Sequence, residues 1–324
     1  MYSVAELTEK VTAALEQLPY DRQPQGLYAP IKYVLSLGGK RIRPVLMLMA
    51  YNMYREDVDR IMPVALGLEV YHNFTLLHDD LMDRADVRRG KPCVHKVWND
   101  NTAILSGDNM LVMAYQMMSR CPSAALPSVI SIFTEAALQI CEGQQYDMEF
   151  EQRTDVTERE YLEMIRLKTS VLLACALQIG ALLGGASEAD AQALYAYGEK
   201  VGLAFQLQDD FLDVYGDFET FGKAIGGDIL CNKKTFMLIN ALAHAPEHLR
   251  AELQGWIAAT EYDPAEKIEA VRHIYTQVGV DQMAKEQISF YIAQAEDALH
   301  ALPIAEERKE ILRQWTEQLL GRKS

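Results

Sequence analysis

Two long segments of this sequence are apolar on nearly every side of a helix, and each ends in a cluster of aspartates. The first segment is 61–83 and the second is 194–213. A helix that is apolar all round lies inside a large helical protein, because a surface helix keeps one polar face. Helix-favouring residues are abundant along the chain and alternating β-branched runs are scarce. The sequence therefore predicts an all-α fold.

The bulk composition limits the classes of function. The chain has 324 residues, of which 49% are hydrophobic, and a formal net charge of −15. This length suits one large domain or about two ordinary ones, with a substantial core. Because a general nucleic-acid surface needs a basic stripe, we expect no nucleic-acid partner. A few local cations would still be enough to bind a phosphate ligand.

The cysteines and the apolar stretches bear on the location of the chain. The five cysteines are odd in number and form no CxxC pair, which favours a reduced, cytoplasmic protein. The first ten residues carry two glutamates and lack the apolar core of a signal peptide. The longest apolar stretch, 171–185, is interrupted by Gln178 and is too short to cross a bilayer. We therefore expect no membrane span.

Both aspartate clusters have the form DDxxD. The first is 79–83 and the second is 209–213. The outer carboxylates of each cluster are four residues apart and share a helix face, where their repulsion costs stability unless cations lie between them. Carboxylate oxygens suit Mg²⁺, which usually keeps several waters and shares substrate phosphates. A solvated acidic helix end explains one cluster but not the duplication, so we expect a metal diphosphate clamped between two facing clusters.

Basic residues recur beside glycine turns and beside the aspartate clusters. They are Lys40 and Arg43 after Gly38-Gly39, Arg88 and Arg89 after the first cluster, Lys223 and Lys233 after the second, and Lys168 in an apolar neighbourhood. Arginine forks match phosphate oxygens, and a glycine turn exposes backbone amides to an anion. Any one of these cations alone fits an ordinary solvated surface. Their recurrence beside the same motifs favours an anion-binding site.

These motifs together resemble the trans-isoprenyl diphosphate synthase family. They occur in the family's order over nearly the whole chain: GGKRIRP, DDLMD with RRGKP, GQQYD, KTS, FQLQDDFLD, and GK followed by GGD and NKK. The resemblance implies one domain over residues 1–324, a helical bundle around a deep central cavity, and a homodimer. It also implies head-to-tail condensation of isopentenyl diphosphate with an allylic diphosphate (dimethylallyl, geranyl or farnesyl), with Mg²⁺ as the cofactor.

The resemblance assigns roles residue by residue. The metal-binding carboxylates are Asp79, Asp80, Asp83, Asp209, Asp210 and Asp213. The cations on the allylic diphosphate are Arg88, Lys168, Lys223 and Lys233. The residues of the isopentenyl diphosphate pocket are Lys40, Arg43, His72, Arg89 and the aromatic Phe205. The remaining polar groups are Gln144 and Asp147 of the GQxxD element, with Thr169 and Gln206 beside the developing carbocation.

Product length is expected to depend on the helix that precedes Asp79. One helical turn rises about 5.4 Å, close to one extended isoprene unit, so a large side chain can close the groove in which the product grows. In the family, an aromatic residue five positions before the first aspartate is typical of short-chain enzymes. Here that residue is Phe74, with Tyr71 one turn further back and Thr75 beside it. Phe74 favours a C15–C20 product, geranylgeranyl diphosphate ahead of farnesyl diphosphate, although simple core packing also explains both aromatic residues.

Three other functions fit parts of the pattern. A class I terpene cyclase uses one DDxxD with a different second metal motif, and a head-to-head synthase carries motifs of DxxxD form. A non-catalytic partner subunit of a longer-chain synthase would be expected to have lost aspartates or cations, whereas this chain keeps them all. Magnesium-dependent turnover by the chain alone separates these alternatives.

Overall fold

The computed structural model of the chain is almost entirely helical. It describes residues 1–216 and 225–321, so the predicted site residue Lys223 lies outside the described residues. Helices make up 77% of the structure, which confirms the all-α prediction. Within the described ranges, the sheet is limited to one antiparallel pair of two-residue strands, β1 Val87–Arg88 and β2 Lys91–Pro92.

The helical elements are numbered here in chain order over the described residues. The first seven are α1 Val4–Glu16, α2 Gln25–Ser36, α3 Ile42–Asn52, α4 Met62–Met82, α5 Val94–Val97, α6 Asp100–Met118 and α7 Leu126–Gln152. The next five are α8 Glu158–Ile165, α9 Val171–Gly184, α10 Glu188–Tyr215, α11 Gly227–Leu230 and α12 Phe236–His244. The last four are α13 Glu247–Ala258, α14 Pro264–Val278, α15 Val280–His300 and α16 Glu306–Leu320. A 3-10 turn, Val58–Ile61, precedes α4, and a π-helical turn, Arg166–Ser170, joins α8 to α9.

The chain forms two compact units. Unit 1 comprises Met1–Thr134, Cys175–Leu194 and Ile304–Ile311. Unit 2 comprises Glu135–Ala174, Tyr195–Pro303 and Leu312–Ser324. The single domain over 1–324 that the resemblance implied stays a prediction.

Helix α4 is the central element of unit 1. Its residues from Val64 to Tyr71 are all buried, and it packs chiefly against α6 and α3. This confirms that the first apolar segment is an interior helix, because no side of α4 is left to face water along that stretch. The helix ends at Met82, so the first DDxxD occupies its last turn.

The end of α10 carries the second DDxxD in unit 2. This part of α10 contributes Leu207, Phe211 and Leu212 to a core that also contains Phe236 of α12 and Ile274 of α14. In 203–213 the half-buried residues are Phe205, Gln206, Gln208 and Asp209, while the other residues are buried, so these four mark the face that is directed away from the core. The prediction of a second interior helix ending in aspartates is therefore confirmed.

One continuous helical run, Glu158–Gly184, meets the length and hydropathy of a membrane-crossing helix. However, 72% of its most apolar stretch is buried inside the protein. A helix whose apolar side chains are already covered by protein is a core helix, since a membrane-crossing helix exposes them to lipid.

Candidate active site

The first aspartate motif presents two of its three carboxylates away from the core. Asp79 is half-buried and Asp83 is exposed, whereas Asp80 is buried at the side of α4. Arg88 lies 2.6 Å from Asp80 and 3.7 Å from Asp79 through the same guanidinium nitrogen. A buried carboxylate needs such a partner. Arg88 therefore neutralises Asp80 and places positive charge at the edge of the motif.

A tight hairpin positions Arg88 and its neighbour Arg89. Arg88 pairs with Lys91 across the strands, and the connecting residues are Arg89 and Gly90. Both connecting residues have positive φ angles, 52° and 74°, which is the backbone of a type I′ turn. The sequence RRGK thus places two adjacent guanidinium groups on one tight turn.

Arg89 also contacts the glycine loop between α2 and α3. Its guanidinium donates a hydrogen bond to the carbonyl oxygen of Gly38. A Cβ atom on Gly39 would lie 2.8 Å from Arg89 Cζ, and Gly39 has a φ of +127°. Only glycine suits both requirements. The structure therefore brings the GGKRIRP and RRGKP motifs together in unit 1, as the assignment to one pocket predicted.

Arg43 and His72, which are both half-buried, form one end of this cluster. Arg43 Nη1 lies 3.0 Å from His72 Nε2. Desolvation lowers the pKa of His72 well below its usual 6.5, and Arg43, Arg89, Arg88 and Arg41 lower it further. A neutral imidazole is then the acceptor of the Arg43 N–H. Desolvation also lowers the pKa of Arg43 to about 10, so this group of cations is costly to keep together without an anion.

A buried ion pair that sequence reasoning missed supports the loop from beneath. Arg41, which is 6% exposed, lies 2.7 Å from Glu69, which is 2% exposed. Arg41 also donates to the carbonyl of Leu35 and has a left-handed backbone with φ 49°, while Asn73 donates to Glu69 at 3.0 Å. The pair holds the loop against α4. The one signal in the sequence was Glu69, a charged residue within an otherwise apolar helix.

The second aspartate motif is held more deeply. Asp209 is half-buried, while Asp210 and Asp213 are 3% and 7% exposed. The Tyr161 hydroxyl donates to Asp210 Oδ2, and Gln206 Nε2 donates to Asp210 Oδ1 at 3.3 Å. Burial raises the pKa of Asp210 to about 7, with a smaller contribution from the charge of Asp228. Tyr161 was not identified from the sequence, where nothing distinguishes it from other core aromatic residues.

A loop after α11 brings Lys233 to the same motif. Asp213 Oδ2 accepts a hydrogen bond from the Asp228 backbone at 3.0 Å. Lys233 Nζ lies 3.9 Å from Asp228 Oδ1. Beneath the loop, the buried Lys267 donates to Asn232 at 2.8 Å. The predicted cation Lys233 thus lies in the part of unit 2 that holds the second motif.

The π-helical turn presents Lys168 and Thr169. Lys168 Nζ lies 2.6 Å from Asp147 Oδ2, which resolves how a lysine is tolerated in that apolar neighbourhood. The Thr169 hydroxyl lies 3.4 Å from Gln206 Oε1. Turns of this type are frequent at functional sites because they redirect side chains and leave backbone groups unpaired. The KTS, GQQYD and FQLQDD motifs therefore converge within unit 2.

The predicted chain-length residues lie in a row of aromatic side chains in unit 1. The Phe74 ring lies 4.8 Å from that of His78 and 5.5 Å from that of Tyr71. Behind Tyr71, Phe133 packs edge-on at 5.1 Å. Thr75 donates its hydroxyl to the backbone carbonyl of His72. Phe74 and His78 are half-buried and Tyr71 is fully buried, so Phe74 lies in the accessible part of the row.

The carboxylates present fit Mg²⁺ as an ion shared with substrate. Within the described ranges, no group of three or more Asp, Glu, His and Cys side chains forms a complete metal-binding cluster. Mg²⁺ usually takes only one or two protein carboxylates and completes its shell with phosphate and water oxygens. Asp79 and Asp83, on one helix face and accessible, match that requirement. Asp210 matches it less well, since protein groups donate to both of its oxygens.

Nearly all the predicted site residues fall into two local groups. In unit 1 they are Lys40, Arg43, His72, Asp79, Asp80, Asp83, Arg88 and Arg89. In unit 2 they are Gln144, Asp147, Lys168, Thr169, Phe205, Gln206, Asp209, Asp210, Asp213 and Lys233. Each unit therefore combines one DDxxD with its own cations.

Comparison with known proteins gives a consistent result. Residues 24–277 match the sequence profile of the polyprenyl synthetase family. A geranylgeranyl diphosphate synthase from Methanosarcina mazei is 38% identical over 96% of this chain and 94% of its own length. A geranylfarnesyl diphosphate synthase from Natronomonas pharaonis is 36% identical over 95% of this chain and 93% of that protein. A crystal structure of a geranylgeranyl pyrophosphate synthase is 44% identical, with a TM-score of 0.95 and full coverage of both chains.

Proposed function

The chain belongs to the polyprenyl synthetase family, and from that premise we propose that it condenses isopentenyl diphosphate head to tail with allylic diphosphates to form geranylgeranyl diphosphate. The observation that carries the proposal is that two DDxxD motifs each lie near a helix end with a cation close by. Arg88 contacts Asp80 of the first motif, and Lys233 lies 3.9 Å from Asp228, whose backbone N–H donates to Asp213 of the second. This pairing suits a diphosphate leaving group, whereas a partner subunit would have no need of it. The names of the relatives, at 36–38% identity over most of the chain, support the same chemistry.

The leaving diphosphate is stabilised as its charge grows. Arg88, Lys168 and Lys233 are fixed cations whose interaction with the diphosphate strengthens as the carbon–oxygen bond breaks, and such groups lower the barrier. Mg²⁺ would be held by Asp79 and Asp83 in unit 1 and by Asp209 in unit 2, and it would supply further positive charge to the leaving group. The neutral His72 keeps Arg43 directed toward the second anion, isopentenyl diphosphate, together with Arg89 and Lys40.

The allylic cation is protected by dipoles rather than by a nucleophile. The Thr169 hydroxyl and the Gln206 amide oxygen meet at 3.4 Å, so both place partial negative charge at the same point. The double bond of isopentenyl diphosphate attacks the cation, a carbon–carbon bond forms, and the resulting tertiary cation loses a proton to the released diphosphate. Water must be kept out during this step, since it would trap the cation as an alcohol.

The C20 length is proposed from the aromatic row. Phe74 is the accessible ring, and Tyr71 and Phe133 prevent it from withdrawing into the core. A growing chain would meet Phe74 first, and one helical turn, about 5.4 Å, corresponds to one isoprene unit. The Natronomonas pharaonis relative with a geranylfarnesyl name shows that product length varies among similar sequences, so length has to be measured.

Surface and thiol chemistry support proposals for the assembly and the compartment of the protein. Helix α6 exposes Ile104, Leu105 and Val112, which are 45%, 60% and 66% accessible. Burying such side chains is favourable, so we propose that this face forms a homodimer. All five cysteines are free thiols, which suits a reducing cytoplasm.

The test is incubation of the purified protein with Mg²⁺, isopentenyl diphosphate and either dimethylallyl or farnesyl diphosphate, followed by chromatography of the dephosphorylated alcohols. We expect the C20 alcohol as the main product. Asp79→Asn should abolish it, whereas Asp59→Asn, an exposed carboxylate that pairs with Lys10, should not. A main product of C30 or longer would overturn the length, and the absence of any prenyl alcohol from folded protein would overturn the synthase function.

A further inference from the structure

A line of hydrogen bonds in unit 2 connects a buried tyrosine to the carbocation subsite. Tyr161 of α8 donates its hydroxyl proton to Asp210 Oδ2. Gln206, one turn earlier on α10, donates from Nε2 to Asp210 Oδ1 at 3.3 Å. The far end of the same amide, Gln206 Oε1, receives the Thr169 hydroxyl at 3.4 Å. Asp210 therefore lies between the two donors at the centre of the line.

The chemistry of the central carboxylate fixes the orientation of the amide. Both oxygens of Asp210 accept hydrogen bonds from protein donors, whereas a carboxamide has a donor end and an acceptor end. Since Asp210 takes the donor end of Gln206, the amide oxygen has to point the other way, toward Thr169. This orientation matters because the oxygen carries partial negative charge and attracts a cation, whereas the NH₂ group would repel it.

Asp210 is built as a fixed internal group. It is 3% exposed and Tyr161 is 1% exposed. Both carboxylate oxygens already have protein donors. In the first motif, the middle aspartate, Asp80, is likewise buried and held by Arg88 at 2.6 Å. The middle position of each DDxxD is thus buried and held by protein contacts. The outer residues Asp79 and Asp83 of the first motif are accessible, whereas Asp213 of the second is buried and accepts from the Asp228 backbone.

We propose that Tyr161 and Asp210 are positioning residues, which hold the Gln206 amide with its oxygen toward the allylic cation, and that Asp210 is not a metal ligand. This inference rests on the proposed prenyl-transfer function and identifies how one part of that site is oriented. It assigns to Tyr161 a role that is exerted through its hydrogen bond to Asp210.

The experiment compares the binding of two unreactive allylic analogues by calorimetry. One is an ammonium analogue of the cation, added with inorganic diphosphate, and the other is a neutral thiolo-diphosphate. Tyr161→Phe removes only the hydroxyl that contacts Asp210, and Asp210→Asn replaces one acceptor oxygen by an NH₂ group, so this side chain no longer fixes which end of the Gln206 amide faces it. We expect both variants to bind the ammonium analogue roughly tenfold more weakly, because one oriented dipole is lost. Their affinity for the neutral analogue should change little. In turnover, kcat should fall with the allylic KM nearly unchanged.

Tyr197→Phe is the matched control. Tyr197 is also fully buried in unit 2, and its hydroxyl donates to the Leu312 carbonyl and contacts Thr316, so it loses a buried hydrogen bond of the same kind. It should lower thermal stability and leave the ratio of the two affinities unchanged. This control separates a general loss of packing from a change in amide orientation.

Three outcomes would overturn the inference. One is an equal change in both analogue affinities for Tyr161→Phe, and another is no change in either. The third concerns the Mg²⁺ concentration that is needed for turnover. If Asp210→Asn raises it as much as Asp209→Asn does, Asp210 is a metal ligand. If the unmodified protein makes no prenyl product, the proposed function falls and the inference with it; an active protein with an unaffected Tyr161→Phe variant overturns the inference alone.

Discussion

Lys168 on the π-helical turn and Asp147 on α7 are joined by a hydrogen-bonded ion pair of 2.6 Å. Both side chains are mostly buried, with 28% and 22% exposed. The contact gives Lys168 a fixed direction, which a flexible four-carbon side chain lacks by itself. It also explains why the last residue of the GQQYD motif is acidic.

The first prediction concerns that ion pair. Asp147→Asn should lower kcat/KM for the allylic substrate by roughly tenfold, because a hydrogen bond to a charged group contributes about 1.5–3 kcal/mol and Lys168 would lose its orientation. Steady-state kinetics at saturating isopentenyl diphosphate measures the effect. Glu149→Gln, an exposed acidic residue on the same helix that contacts Gln145, should behave as the unmodified protein. Equal activity of Asp147→Asn would show that Lys168 needs no such support.

Product length gives the second prediction. Phe74→Ala should lengthen the main product by about one isoprene unit, since Tyr71 lies one helical turn behind it and is held edge-on by Phe133. The double variant Phe74→Ala with Tyr71→Ala should extend the product further. Chromatography of the dephosphorylated alcohols measures the product length. Phe290→Ala, which removes an exposed ring, is the control. An unchanged product from Phe74→Ala would mean that the chain does not grow along this row.

The buried Arg41–Glu69 pair gives the third prediction. Glu69→Gln should lower the free energy of unfolding by about 3–5 kcal/mol, because it leaves a buried guanidinium without its charge partner. Replacing both residues by Met should recover much of that stability while weakening isopentenyl diphosphate binding, since the glycine loop loses its anchor. Urea denaturation provides the measurement. The exposed pair Lys10–Asp59 is the comparison, and its loss should cost about 0–1 kcal/mol.

The sequence predicted the interior helices, and it identified the motifs that lie together within each unit, because those features are local. The apolar segment 61–83 became α4, Met62–Met82, and the DDxxD spacing alone places the outer carboxylates on one face. The role of Tyr161 was not predictable, since it depends on Asp210, 49 residues later. The π-helical turn and the left-handed Arg41 also depend on tertiary packing, which single-sequence patterns do not contain.

The fourth prediction is a pH dependence of stability due to His72. Its pKa in the folded protein is lowered below 6.5 by desolvation and by the nearby arginines. The unfolded chain therefore binds the proton first as pH falls below 6.5, so His72 makes the folded state lose stability on acidification. Asp210, whose pKa is raised to about 7, has the opposite effect on how the free energy of unfolding changes with pH. The quantity to measure is therefore the difference in this free energy between the unmodified protein and a variant that lacks His72.

His72→Gln keeps an acceptor for Arg43 but cannot be protonated. The free energy of unfolding of the unmodified protein should fall relative to that of His72→Gln as the pH is lowered from 7 to 5, as measured by urea denaturation at a series of pH values. His248→Gln, on the exposed start of α13, should leave the pH profile unchanged. Parallel profiles for the unmodified protein and His72→Gln would show that His72 titrates normally in the folded state.

The last prediction concerns the two glycines that enclose the π-helical turn. A Cβ atom on Gly143 of α7 would collide with the backbone nitrogen of Lys168, and one on Gly202 of α10 would lie 2.6 Å from Ser170 Cα. Because backbone atoms cannot move aside as a flexible side chain does, Gly143→Ala has to shift Lys168. We expect kcat to fall by about 10–100-fold, since a misplacement of roughly 1 Å in a catalytic group has that effect.

Gly255→Ala provides the control, because a Cβ atom at that position on α13 meets nothing within 4 Å. It should raise stability by about 0.5–1 kcal/mol, as alanine does in a helix, with no loss of turnover. Thermal denaturation of both variants separates a folding defect from a positional one. A folded Gly143→Ala protein with full kcat would mean that the turn can move without affecting the reaction, and that the close approach of α7 serves packing alone.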